Sequence, residues 1–198
     1  VSQESVEEFQ IATFNFDLST GATGSGAVNI VTRRGTNAVH GTAFFYYRDH
    51  GLAAYPALRR DLQHPDPYFA RRQSGFSLGG PLVKDRFFWF TTYEHNNQDG
   101  VFAVANNHPI FSKLDVVERS PLNSNLLTAR FDGNLNNRLT TFLRYTQDLN
   151  NSIAPAGTGV FMPSNWFSGN TKARQIQAGL TSAVTSNFIA DLRFSYSS

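Results

Sequence analysis

Residues 75–79 read Gly-Phe-Ser-Leu-Gly, the spacing in which a serine can serve as a nucleophile. That chemistry needs a sharp strand-to-helix turn with the serine at its apex. Here Gly80-Pro81 follow, then a tight-turn sequence around Lys84-Asp85, so no helix can start behind the serine. The small residues instead read as places where two backbones approach closely. The histidines are His40, His50, His64, His95 and His108, and no two stand at a metal-ligand spacing such as i, i+4 on a helix. Glu94 has no second carboxylate near it in sequence and reads as the partner of an arginine rather than a general acid. Arg33-Arg34 follow a short apolar run and read as solvated charges rather than a phosphate site. No catalytic, cofactor-binding or metal-binding residue is assigned. The candidates left are aromatic: Tyr55, Tyr68, Phe69, Phe161, Trp166 and Phe167, all within two long polar connections. Such residues can form a ligand platform or pack the loops against one another.

These residues must be positioned by strands. Charged residues make up 16% of the 198-residue chain, against roughly 25% in ordinary soluble domains. Aromatics make up 14%, with 18 Phe and 7 Tyr. Mean hydropathy is −0.31, and no run approaches the ~18 apolar residues that a spanning helix needs. A β-barrel hides its apolar face by alternation and keeps a low average hydropathy. Net charge is +2 and no Lys/Arg cluster exceeds two in a row, which argues against nucleic-acid binding. The absence of cysteine excludes disulfides and thiolate metal sites. No signal peptide begins at Val1, and the first residues read as the middle of a domain, so a fragment is expected.

Strands are expected over residues 8–13, 27–32, 41–49, 73–82, 87–96, 125–133, 138–146, 172–184 and 188–197. Residues 27–32 are nearly all apolar, as in a strand buried on both faces. From residue 40 onward the connections alternate. Residues 51–72, 97–124 and 147–171 are long, whereas 83–86, 134–137 and 185–187 are tight turns. Long loops of this kind are uncommon in compact soluble domains. Alternating with tight turns, they match a barrel wall that crosses an outer membrane, with about seven strands after residue 40. Parity agrees. Phe87, Trp89, Thr91 and Tyr93 share one face of their strand, and Phe88, Phe90, Thr92 and Glu94 the other. Leu127, Ala129 and Phe131 oppose Thr128, Arg130 and Asp132 in the same way. So do Leu143 and Tyr145 against Phe142 and Arg144, and Leu192, Phe194 and Tyr196 against Asp191 and Arg193. A lipid-facing Arg or Lys costs about 2–4 kcal/mol at mid-bilayer, so the charged face should point into the lumen.

Several runs carry a family resemblance. Val6-Glu7-Glu8-Phe9-Gln10, Ala27-Val28-Asn29-Ile30-Val31-Thr32, Gly35-Thr36-Asn37 and His40-Gly41 resemble the plug-to-barrel segment of Oar-like TonB-dependent receptors. Arg71-Arg72-Gln73, Gly75, Leu78-Gly79-Gly80-Pro81, Lys84-Asp85, Phe87-Phe88 and Tyr93-Glu94 resemble the hairpin that follows. The resemblance is specific over roughly residues 5–95 and architectural beyond; residues 18–20 depart from the family's acidic residue and Tyr before the glycine.

The resemblance implies an all-β fold: residues 1–38 as the C-terminal part of a plug domain, and 39–198 as the N-terminal part of a transmembrane antiparallel β-barrel. It further implies import of a nutrient across the bacterial outer membrane, energised through TonB, with no enzyme activity. The partners would be TonB, reached through a segment outside this sequence, outer-membrane lipid, and an oligosaccharide, peptide or metal chelate as ligand. A structural or adhesive barrel without active transport is the alternative. A soluble β-sandwich fits less well, because Trp89, Tyr93, Tyr145 and Tyr196 stand on the uncharged face towards strand ends, as in an interfacial girdle.

Overall fold

The computed structural model describes residues 2–12, 27–52, 66, 68–104, 110, 116–154 and 163–198. Two sheets account for these residues. A short ribbon pairs β1 (Val6–Ala12) antiparallel with β2 (Ala27–Thr32). A large antiparallel sheet holds β3 (His40–Asp49), β4 (Phe69–Val83), β5 (Phe87–Val104), β6 (Val116–Arg119), β7 (Leu122–Asn136), β8 (Leu139–Ala154), β9 (Phe167–Thr185) and β10 (Phe188–Ser197). Its strand order is β10-β9-β8-β7-β5-β4-β3, with β6 also on β5. Neighbours in space are thus neighbours in sequence, as in an up-and-down wall. Among the described residues no helix is long and apolar enough to cross a membrane.

β6 and β7 continue one line. Val101 pairs with Arg119, Ser120 donates its amide to Gly100 at 2.8 Å, and Gln98 pairs with Leu122, all in one register. Pro121 alone interrupts the line, because it has no N–H to give to β8. The Ser120 hydroxyl takes over and donates to the Ile153 carbonyl at 2.7 Å, while the Ile153 amide donates to Pro121 O at 3.1 Å.

Most strands run further than alternation indicates. β4 begins at Phe69 rather than 73, β5 continues to Val104 rather than 96, and β9 begins at Phe167 rather than 172. β8 likewise reaches Ala154, and β6 lies within the connection expected over 97–124. The extra residues are rich in Asn, Gln, Ser and Thr. They show no apolar period, yet the ladder pairs their backbones wherever a neighbouring strand is present. The tight turns lie where expected, and each has a register shift beside it: between Pro81 and Val83, Asn134 and Asn136, and Phe188 and Ile189. In the first turn Arg86 N donates to Val83 O at 3.1 Å, and Asp85 takes a φ of 63°.

The wall has two unlike faces. On one, Phe45, Phe76, Leu78, Phe131, Leu143 and Leu192 are exposed, all uncharged and sharing one parity through the register. On β9 this outward band runs from Val184 to Ile176 before Arg174 interrupts it. A run of that length, at about 3.3 Å per residue and tilted about 40°, climbs roughly 20 Å, most of the ~25 Å apolar band of an outer-membrane barrel. The opposite face is covered by the N-terminal segment. There Phe90 is 2% exposed and Thr92 0%, and both belong to β5 positions of Glu94's parity.

Within this chain one face of β2 is open: Val28 is 60% exposed and Ile30 37%. β2 has only β1 beside it, and among the described residues no second layer covers it.

Candidate functional site

The covered face and the N-terminal segment meet along a polar seam. The register lines up Thr42, Ser77, Thr92 and Thr128 across β3, β4, β5 and β7. Small hydroxyl side chains leave room there, and the turn Gln3–Ser5 lies against β4 and β5. Ser2, Ser5, Ser77, Thr92 and Thr128 are all buried. The Ser2 hydroxyl donates to Glu94 Oε2 at 2.7 Å, and Gln73 Nε2 donates to Glu94 Oε1 at 2.7 Å. Arg71 then donates to Gln73 at 2.9 Å and to Asn96 at 3.2 Å. Among the described residues Glu94 is therefore held by hydroxyl and amide donors rather than by the arginine expected from sequence, and Arg71 reaches it through Gln73.

Two arginines fix the end of β2. Arg130 donates Nη1 to the Thr32 carbonyl at 3.0 Å and to its hydroxyl at 2.9 Å, and forks Nε and Nη2 onto Asp132. Its guanidinium lies 5.3 Å from the Phe142 ring centroid. Arg144 donates to the same Thr32 hydroxyl at 3.1 Å and to Gln177. Asp132 neutralises one of these cations, and the Thr32 oxygens accept from both. Arg33 is not a merely solvated charge: it donates to the Val6 carbonyl at 3.1 Å and lies 3.9 Å from Glu4. Glu4 in turn accepts from the Thr42 hydroxyl at 2.8 Å. Arg34 lines a cleft of about 420 Å³ between residues 34–37 and the wall, with Phe88, Asp132 and Phe142 opposite.

The linker to β3 is clamped at the first tight turn. Asn37 accepts from the Asp85 backbone amide at 2.8 Å and donates to its carboxylate. The same side chain thus holds the turn residue that carries positive φ. Gly35 lies where any Cβ would strike the backbone carbonyls of Trp89 and Gly80, so only glycine lets linker and wall meet this closely.

Ser77 sits in the middle of β4, not at a turn, and its Oγ is 2.7 Å from Thr42 Oγ1. The two glycines of that pentapeptide make room for rings and for the neighbouring backbone of β5. A Cβ on Gly75 would meet Phe44 at 2.6 Å and the Tyr93 carbonyl at 2.6 Å, and one on Gly79 would meet Phe90 at 2.8 Å and the Trp89 carbonyl at 3.1 Å. His40, His50 and His95 lie far apart along the wall, and His64 and His108 lie outside the described residues. Among the described residues no group of three or more His, Cys, Asp or Glu could hold a metal.

The aromatic candidates divide. Tyr55 and Phe161 lie outside the described residues. Phe69 and Phe167 are strand residues, not loop residues, paired with Gly100 and Ala154. Phe69 carries the Arg48 guanidinium 5.2 Å from its centroid. Tyr68 packs on His50 at 5.8 Å, and His50 contacts Asp66 at 2.8 Å. Trp166 meets Phe102 edge-on at 5.8 Å. Tyr68 and Trp166 therefore both pack onto neighbouring side chains, yet Tyr68 stays exposed beside the strand ends. The outward tyrosines mark the top of the apolar band. Tyr47, Tyr93 and Tyr145 each donate their hydroxyl to a polar residue further along: Asp49, Asn125 and Gln147.

A family model described as "Outer membrane beta barrel domain" matches residues 31–109. No curated protein matches the sequence significantly. The crystal structure of the siderophore receptor PirA from Acinetobacter baumannii is similar at a TM-score of 0.65 and 17% identity, over 98% of this chain. The chain spans 27% of that structure's length. The fold is that of an antiparallel outer-membrane β-barrel wall, and the protein resides in the outer membrane.

Proposed function

We propose that the chain belongs to a TonB-dependent receptor that binds a nutrient at the loop end of the barrel and imports it. Residues 1–38 form the end of the plug, and residues 39–198 open the barrel that surrounds it. The observation that carries this reading is the seam itself. A segment far away in sequence is seated on the lumen face by Ser2–Glu94, Thr32–Arg130 and Asn37–Asp85. A plain pore or scaffold has no need of such a segment inside it.

The chemistry of the seam suits movement. It consists of hydrogen bonds and a few charges, which water can replace bond for bond when the segment shifts. An apolar interface of the same size would resist opening. The exposed apolar side chains Phe9, Ile11 and Val28 on the ribbon fit a site that the rest of a plug covers. Transport needs no catalytic residue, since the energy comes through TonB and the ligand leaves unchanged. The ligand is a metal chelate, an oligosaccharide or a peptide, in keeping with the name of the similar siderophore receptor.

The test uses cells that make the complete gene product, with and without a working TonB system. They are offered ferric siderophores, oligosaccharides and peptides, each labelled. Accumulation of one class only with TonB intact is expected. Surface binding with no TonB-dependent uptake would replace this reading with an adhesive barrel.

A further inference from the structure

The seam leaves Arg34 unused. Among the described residues no hydrogen bond or ion pair holds it, whereas its neighbour Arg33 is bound to Val6 and Glu4. Arg34 lines the cleft of about 420 Å³ between residues 34–37 and the wall. That volume falls within the ~300–1,000 Å³ of small-molecule sites. Register builds the far side of the cleft. Phe88 on β5 pairs with Asp132 on β7, and Asp132 pairs with Phe142 on β8. Two aromatic residues therefore flank one carboxylate, and Thr140, two residues before Phe142 on β8, adds an exposed hydroxyl.

Charge decides what this cleft can hold. Arg130 stands directly opposite Arg144, an arrangement in which like charges repel. Asp132 is taken up by the fork from Arg130. Asp191 accepts from the cleft residue Thr181 at 3.3 Å and is paired with Arg193 at 2.9 Å. Asp85 is bound by Asn37 at the rim. Among the described residues Arg144 meets only the neutral oxygens of Thr32 and Gln177. Arg34 and Arg144 are thus left without a carboxylate, and the cleft keeps a positive excess. Its place along the wall matters too. Phe88 lies beside the tight turn, and Glu94 stands further along β5 towards the long connections. In outer-membrane barrels the tight turns face the periplasm. A solute entering from the loop end meets the Ser2–Glu94 contact first and this cleft after it.

We propose that the cleft is a second solute site, on the periplasmic side of the seam, for a compound carrying an anionic oxygen group, carboxylate or phosphate, next to a flat apolar part. Arg34 holds the anion through charge-assisted hydrogen bonds. Phe88 and Phe142 take the flat part. As a stopping place for an imported solute, the site rests on the import reading above. A neutral oligosaccharide would leave the charge of Arg34 unanswered. Among the ligand classes named above, the cleft therefore favours an anionic chelate or a peptide carboxylate.

The complete gene product, purified in detergent, is titrated against para-fluorophenyl phosphate, and broadening of the probe's fluorine resonance reports binding. Saturable broadening is expected. Arg34→Glu should weaken binding about tenfold or more, and Arg34→Gln about threefold. Arg174→Glu, on the outward face, should change nothing. para-Fluorobenzyl alcohol keeps the ring and loses the charge, and should bind the native protein as weakly as the phosphate binds the Arg34→Glu variant. Should charge reversal block assembly, Arg34→Gln serves with the same readout. Unchanged affinity in the Arg34 variants overturns the proposal, and so does equal affinity for the alcohol. Absence of any binding overturns it as well, and means that the complete protein fills the cleft itself. Binding is read without transport, so the two readings fail separately. TonB-dependent uptake with no anion bound in the cleft removes this site alone. A bound anion without TonB-dependent uptake removes import and leaves the site.

Discussion

At the scale of single residues, neighbours on one strand meet opposite environments. Trp89 shares its face with the lipid band, and Phe90 is 2% exposed beneath the N-terminal segment. In the complete gene product in membranes, Trp89→Cys should react with a lipid-dissolved thiol probe and Phe90→Cys should not. The chain has no native cysteine to remove. Swapped labelling would reverse the inside and outside of the wall. Asn37 offers a second test, since it satisfies the Asp85 amide in a turn that carries positive φ. Asn37→Ala should cost about 1–2 kcal/mol in denaturant unfolding, because a backbone donor loses its partner. Asp85→Gly should cost less, since glycine adopts the left-handed backbone freely.

At the scale of elements, the interrupted strand β6–β7 shows how a proline is tolerated inside a wall. Pro121 removes one donor to β8, and Ser120 supplies another at 2.7 Å. Ser120→Ala should therefore destabilise locally by about 1 kcal/mol and speed hydrogen exchange at the Ile153 amide. Adding Pro121→Ala should restore most of the protection, since the ladder amide returns. If the double variant exchanges as fast as Ser120→Ala alone, the hydroxyl is not the substitute donor. The glycine–aromatic pairs act at the same scale. Gly75 beneath Phe44 and Gly179 beneath Phe142 let rings lie flat on the ladder, which fixes register without adding charge.

At the scale of the whole molecule, the wall and its inner segment have separable roles. On the proposed plug-and-barrel reading, removing everything through residue 38 from the complete gene product should leave a barrel that assembles but conducts. Single-channel recording should then show a large, steady conductance that the intact protein lacks. A closed deletion variant would mean that other parts of the barrel block the lumen. The chain of residues 1–198 on its own should aggregate without detergent. Its outward band is apolar, and β3 and β10 each have one neighbour and one open edge. A sharp, cooperative melt of a soluble monomer would contradict this.

Sequence alone determined the wall. Period-two alternation, the long and short connections and the uncharged parity of residues such as Trp89, Leu143 and Leu192 are local properties, and each strand repeats them independently. Strand ends were not legible, because above the apolar band both faces meet polar surroundings and Asn-rich stretches such as 149–152 lose their period. The seam was legible only in part. Glu94, Arg130 and Arg144 could be placed on the lumen side by parity, but no spacing in the chain names Ser2 or Thr32 as their partners. Which side chains stand abreast was wholly out of reach: Asn97, Asn123, Asn151 and Asn170 are scattered in sequence, and only the registers between strands bring them into line. Alternation decides which face a side chain takes. Pairing offsets decide what stands beside it, and these are set by turns, bulges and the fit of the whole sheet.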